Sequence, residues 1–195
     1  MFIVLEGIDY SGKSTQAKML YERLSKESDV VATFEPTDGS IGKMIRLVLR
    51  HELKLDNMSL QALFVADRAE HIKSLIEPME KEKKIIVCDR YFFSTFAYGA
   101  ASNLDVEWLK AMNSKFPVPD ITFFIKVDPA EAIKRMESKV AKADLFEKKE
   151  ILEKVSLEYE SFAKEYKNYF VIDGNKSIGE ISDAIYTKVK EFLRK

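Results

Sequence analysis

The chain has 195 residues, 46% of them hydrophobic, which suits one compact domain, residues 1–195, with a sizeable core. Its 31 Lys and Arg against 32 Asp and Glu leave a net charge of −1, so no basic field calls for nucleic acid or an anionic membrane as partner. No apolar run approaches the roughly 20 residues that span a bilayer, and residues 1–15 lack the basic and apolar regions of a secretory leader.

The predicted elements alternate along the chain. FIVLE (2–6) is a strand, and 13–27 reads as an amphipathic helix. VVATFE (30–35) is a second strand, followed by helical patterns over 40–51 and 58–82, the latter with Ser59 at its start. The third strand, KIIVCD (84–89), holds the only cysteine. Cys88 excludes an internal disulfide, points to a reducing compartment such as the cytoplasm, and reads as a small buried hydrophobe. A helical stretch with a break covers 92–114, then the fourth strand ITFFIKV (121–127) and a helix opened by Pro129 over 129–140. SKVAKADLFEKKE (138–150) interrupts the apolar periodicity and is either a short lid or a solvated helix junction. A helix over 148–167, the fifth strand YFVID (169–173), a turn at Gly174 and a helix over 177–194 complete the chain. Near-continuous apolar strands alternating with helices predict an α/β, doubly wound parallel sheet covered on both faces. Ligands then gather at the carboxyl ends of the strands.

GIDYSGKST (7–15) follows the first strand and opens the first helix. It has the Walker A spacing: Gly7 and Gly12 let backbone N–H groups face a phosphate, and the helix aims its positive end at the same anion. Lys13 is placed to bridge phosphates, Ser14 to ligate Mg²⁺ and Thr15 to support it. The loop implies a nucleoside triphosphate with magnesium and leaves the acceptor open. Asp9, inside it, is either a turn residue or a group facing the acceptor. Asp89 ends the third strand, where a carboxylate can orient Mg²⁺, and Arg90 offers a planar fork for a phosphate; the pair also reads as a strand-end ion pair. Phe64 and Arg68 share one helix face and suit a stacked base, or equally a core ring beside a solvated edge. His71 has no ligand constellation around it and reads as structural or exposed.

FIVLEGIDYSGKST, FEPTDGSIGKMIR, ALFVADRAEHI, DRYFFSTFAYG and FFIKVDPAEAIKR together resemble the thymidylate kinases, over nearly the whole chain. That resemblance implies a three-layer P-loop fold with a five-stranded parallel sheet and a short lid near 138–150, generally a homodimer. It implies transfer of the γ-phosphoryl of ATP to thymidine 5′-monophosphate (dTMP) with Mg²⁺, in dTTP biosynthesis. Carried over by position, the donor is held by Gly7, Ile8, Asp9, Tyr10, Ser11, Gly12, Lys13, Ser14 and Thr15, by Arg135 near the adenine, and by the backbone at Asn175 and Lys176. Phe64 stacks on thymine and Arg68 bonds its edge. Arg46 and Arg90 hold the acceptor phosphate beside Glu35 and Pro36. Tyr98 packs on the deoxyribose, Ser94 and Thr95 lie nearby, and Asp9 aligns the acceptor. Asp9, Lys13, Arg90 and Arg135 form the catalytic set, with Ser14 and Asp89 at the metal.

Two departures stand out. Relatives often carry an arginine that reaches the transferring phosphoryl, either in the loop, where Tyr10 stands, or in the lid, where Leu145 stands; Lys139 or Lys142, with Arg135, is the expected substitute, the alternative being that both are surface lysines of a charged loop. Gly99 replaces a glutamine found in many bacterial members, which predicts looser base selection. The competing readings are a kinase for another or a broader set of (deoxy)nucleoside monophosphates, such as dUMP, and a P-loop switch without transfer chemistry. Against the switch, no Asn-Lys-x-Asp motif is present.

Overall fold

The computed structural model describes residues 1–137 and 145–194. All five strands form within one residue of the predicted spans: β1 Phe2–Glu6, β2 Val30–Phe34, β3 Ile85–Asp89, β4 Ile121–Lys126 and β5 Tyr169–Asp173. They pair in parallel in the order β2-β3-β1-β4-β5. β1, β3 and β4 are buried almost throughout, as their unbroken apolar runs require. The expectation of two covered faces fails at the rims. β2 and β5 have a neighbour on one side only, and Phe34 and Val171 remain 44% and 45% exposed.

The helices are α1 Lys13–Leu24, α2 Ser40–Leu49, α3 Asn57–His71, α4 Glu77–Lys81, α5 Phe92–Ala101, α6 Val106–Asn113, α7 Pro129–Glu137, α8 Leu145–Glu165 and α9 Ile178–Leu193. α3 starts ahead of its predicted cap because Asp56 accepts from the Ser59 N–H at 3.0 Å and from its hydroxyl at 2.6 Å. It reaches α4 through one π turn, Ile72–Ile76. Pro78 has no N–H to return to the carbonyl of Ser74 in that turn, so the helix widens there rather than breaking. The break between α5 and α6 is sealed by Asp105, which caps α6 through the Glu107 N–H. Of the predicted lid, residues 145–150 belong to α8, while 138–144 lie outside the described residues. No helix among the described residues is long and apolar enough to cross a membrane.

The chain runs from β1 outward to β2, returns to β3, then crosses β1 to reach β4. β1 is therefore the switch point, and loop 7–12, Asp89 and Arg90 all emerge at the carboxyl end of the sheet beside it. Beneath them lies an apolar core in which Phe124 of β4 stacks on Tyr159 of α8 at 5.0 Å.

Candidate active site

The loop after β1 is a turn that only its own residues permit. A Cβ on Gly7 would meet Ser11 Oγ at 2.6 Å and the Ile125 carbonyl oxygen at 2.9 Å. Gly12 adopts φ 92°, a left-handed conformation that favours glycine, and caps α1 without a side-chain acceptor. The first-turn N–H groups of α1 therefore face the loop without a side-chain cap, in the arrangement that binds anions. Lys13 folds inward, 6% exposed, and donates to the Ile8 carbonyl at 3.3 Å, with Asp9 at 3.9 Å. Burial, then the nearby Arg90, lowers its pKa to about 8, against the pull of Asp9, Asp89 and Glu6.

Ser14 Oγ donates to Asp89 Oδ2, which joins the start of α1 to the end of β3. Asp89 Oδ1 is buried with no hydrogen-bond partner among the described residues. An unpartnered carboxylate oxygen beside a serine hydroxyl at a phosphate loop is a fit for a hard, oxygen-seeking cation. No cluster of three or more His, Cys, Asp or Glu that could hold a metal exists among the described residues, so such a cation takes its remaining ligands from phosphate and water.

Two clefts abut at Asp9 and Tyr10. The donor-side cleft runs from Tyr10 through Gln16 to Arg135, Gly174, Lys176 and Ile178, with a volume of about 640 Å³. Arg135 donates to the Tyr10 carbonyl at 3.4 Å and lies 3.2 Å from Glu131. Tyr10 itself takes φ 63° and packs against the core cluster. Asn175 is not in this cleft; its side chain meets the Asp128 N–H at 3.4 Å and Asp173 at 3.1 Å. The acceptor-side cavity, about 170 Å³, is lined by Asp9, Pro36, Phe64, Arg90, Ser94, Thr95 and Tyr98 among others. Seven predicted residues thus meet in one place, although α3, α5 and the loops after β1 and β2 are far apart in sequence.

Arg90 lines the acceptor cavity and pairs with Asp9 of the phosphate loop. It holds a left-handed φ of 71°, costly for an arginine, and its guanidinium reaches Asp9 at 2.5 Å, Ser94 Oγ at 3.0 Å and the Tyr98 hydroxyl at 3.5 Å. Crowding around Asp9 raises its pKa, but Arg90 and then Lys13 outweigh it and hold the carboxyl below the usual range. Burial raises the Tyr98 phenol. Glu6, which the sequence reading missed, is 0% exposed and accepts from the Tyr91 and Ser94 N–H groups at 2.8 and 3.2 Å. The Ser94 and Tyr159 hydroxyls add bonds of 2.7 and 2.9 Å. Burial lifts its pKa above normal despite these donors. It caps α5 from the end of β1 and so fixes the turn that carries Arg90. Its only sequence signal is a charged residue closing an otherwise apolar strand.

Four of the residues singled out in the sequence do not line the acceptor cavity. Arg68 does not reach the cavity: 1% exposed, it bonds Glu35 at 2.7 and 2.9 Å, Thr95 Oγ1 at 3.2 Å and Asn113 Oδ1 at 2.6 Å. Glu35 likewise faces inward, to Arg68 and to His71 at 3.0 Å, because a buried guanidinium needs a carboxylate. His71 is structural, with Thr33 Oγ1 at 2.6 Å on its other nitrogen. Arg46 holds the backbone of 36–38, donating to the Pro36 and Thr37 carbonyls at 2.7 and 2.5 Å and to Asp38 at 2.9 Å. Gly99 faces α6, where a Cβ would lie 2.4 Å from Leu109 Cδ1. Lys139 and Lys142 lie outside the described residues.

A P-loop at the switch point of a parallel sheet, with a separate acceptor cavity joined to it by Asp9 and Arg90, defines a nucleoside monophosphate kinase. The family profile described as thymidylate kinase matches residues 5–185, and the chain belongs to that family. It is 42% identical over 191 residues to the probable thymidylate kinase of Methanocaldococcus jannaschii, covering 97% of this chain and 96% of the relative. It is 39% identical over 194 residues to the thymidylate kinase of Desulfotalea psychrophila, covering 98% and 95%. The crystal structure of thymidylate kinase from Ehrlichia chaffeensis superposes with a TM-score of 0.78 at 32% identity, covering 100% of this chain and 98% of that one.

Proposed function

We propose that the chain transfers the γ-phosphoryl of ATP to dTMP, yielding dTDP and ADP for dTTP synthesis, as a cytoplasmic homodimer. The observation that carries this reading is the Asp9–Arg90 pair, which stands where the donor cleft meets the acceptor cavity. An oxygen of the dTMP phosphate forms the new bond to Pγ while the bond from Pγ to the β,γ-bridging oxygen breaks, and ADP leaves with that electron pair. The acceptor phosphate is already a nucleophile, so the protein supplies alignment and positive charge rather than a strong base. Lys13 and the uncapped N–H groups of α1 hold the donor phosphates, and Arg90 turns from Asp9 to the acceptor phosphate. Asp9, released by Arg90, then aligns the acceptor sugar, while Phe64 and Tyr98 bracket the base and deoxyribose. Ser14 and Asp89 would hold Mg²⁺, which neutralises the donor phosphates when bound. Arg135 sits on the donor side and provides a further cation.

Release of ADP from ATP, followed with and without dTMP, tests the reading. ADP release should require dTMP and fall by at least a hundredfold in Arg90→Ala. Equal release without an acceptor would indicate a switch or hydrolase. Faster turnover with dUMP or dCMP than with dTMP would favour a broader monophosphate kinase.

A further inference from the structure

Tyr159 of α8 is buried, and its ring stacks on Phe124 of β4 with 17° between the planes. A phenylalanine would fill that place in the core as well, so the hydroxyl calls for partners of its own. It donates to Glu6 Oε2 at 2.9 Å, lies 2.8 Å from Ser94 Oγ, and comes within 3.5 Å of Arg90 Nη1. Burial, then the Glu6 carboxylate, raises this phenol, so it keeps its proton. Ser94 Oγ meets Glu6 Oε2 at 2.7 Å and accepts from Arg90 Nη1 at 3.0 Å. A guanidinium only donates, so Ser94 sends its single proton to Glu6 or Tyr159. The two ends of the Arg90 guanidinium are therefore held differently. Nη1 rests on a ring of three oxygens from β1, α5 and α8, whereas Nη2 faces Asp9, whose side chain is 52% exposed.

We propose that Tyr159 is a positioning residue for the acceptor arginine: with Glu6 it pins Ser94, and through it Nη1 of Arg90, so that only Nη2 turns from Asp9 to the acceptor phosphate. The inference rests on the reading that Arg90 receives that phosphate. An arginine free at both ends has to give up rotamer freedom each time a monophosphate binds, and it can follow Asp9 as a whole; one pinned at Nη1 has already lost that freedom. Of the three oxygen donors in the ring, only Ser94 lines the acceptor cavity, so Tyr159 and Glu6 act on the substrate through Arg90 rather than by touching it. The effect belongs to the phosphate of the acceptor. Base and deoxyribose meet other side chains, and the donor phosphates meet the loop after β1.

Tyr159→Phe keeps the ring and its stack on Phe124 and removes one oxygen. Its kcat/KM for dTMP should fall about tenfold, with KM for ATP within about twofold of wild type. By calorimetry it should bind dTMP more weakly and thymidine, which lacks the phosphate, as well as wild type does. A double-mutant cycle separates positioning from a merely structural role. Added to Arg90→Ala, Tyr159→Phe should cost no more than about a further twofold, because the side chain it positions is gone. A kcat/KM within about threefold of wild type, an equal loss of thymidine and dTMP binding, or a full tenfold loss in the Arg90→Ala background would overturn the proposal. Should Tyr159→Phe not fold, Ser94→Ala goes through the same cycle, and independent losses there would overturn it. A wild-type protein that does not phosphorylate dTMP sinks the functional reading itself; one that does, with Tyr159→Phe unimpaired, sinks only the assignment of Tyr159.

Discussion

Lys13 is the site residue most sensitive to pH. Buried in the loop and close to Arg90, it titrates near 8 despite Asp9, Asp89 and Glu6. Donor phosphates bind the charged form, so as pH rises through about 8 binding must take up a proton and weakens, towards tenfold per unit. The dissociation constant for ADP, measured by calorimetry, should change by less than about twofold between about pH 7.2 and 7.8 and rise on the order of tenfold or more by about pH 9.5, with proton uptake in the upper range. A constant that stays level to pH 9.5 would mean that Lys13 keeps its charge in the free protein. The same lowering has a stability consequence: between about 8 and the unfolded value near 10.4 the unfolded chain binds more protons, so this group adds stability as pH rises through that window. Lys13 was legible because the phosphate loop is local, its glycines, lysine and serine acting within eight residues. Arg68 was not, because a buried guanidinium goes to whichever carboxylate the fold delivers. Here that is Glu35, 33 positions earlier, with Asn113, 45 positions later, completing its shell. Glu6 was overlooked for the same reason, since its partners Tyr91, Ser94 and Tyr159 arrive from the turn after β3, from α5 and from α8.

At the scale of elements, the Arg68–Glu35 pair is a joint. Through Thr33, His71, Thr95 and Asn113 it ties the end of β2 to α3, α5 and α6, beneath the wall of the acceptor cavity. Removing one partner of a fully buried pair strands the other, so Glu35→Ala should cost about 3–5 kcal/mol in urea unfolding. Ser177→Ala, which removes the capping box of α9 at the surface, should cost only about 1 kcal/mol. A loss below about 1 kcal/mol at Glu35 would show that water or a shifted side chain rescues Arg68. Element type was readable from periodicity, and the strand ends came within a residue. Starts and turns were harder. Asp56, not Ser59, caps α3, and the π turn before Pro78 depends on a missing donor rather than on any apolar pattern.

For the whole molecule, alternating strands and helices specified a parallel sheet, yet not which strands would be its edges. That order is set by crossovers, and it leaves β2 at the rim with Phe34 half exposed. Met44, Leu47, Leu49, Leu53, Leu55 and Met58, along α2 and the segment entering α3, are also more than a third exposed. Under the proposed homodimer, these large apolar side chains are the ones a second copy would cover. Leu49 also lines the acceptor cavity, so that association would support the wall holding the monophosphate. The protein should sediment as a dimer at micromolar concentration. A single charge at Phe34, Met44 or Met58 (each →Glu) should shift it to monomer and raise KM for dTMP, whereas Leu157→Glu, on the outer face of α8, should leave both unchanged. A monomeric wild type, or a dimer indifferent to all three charges, would show that this face has another purpose.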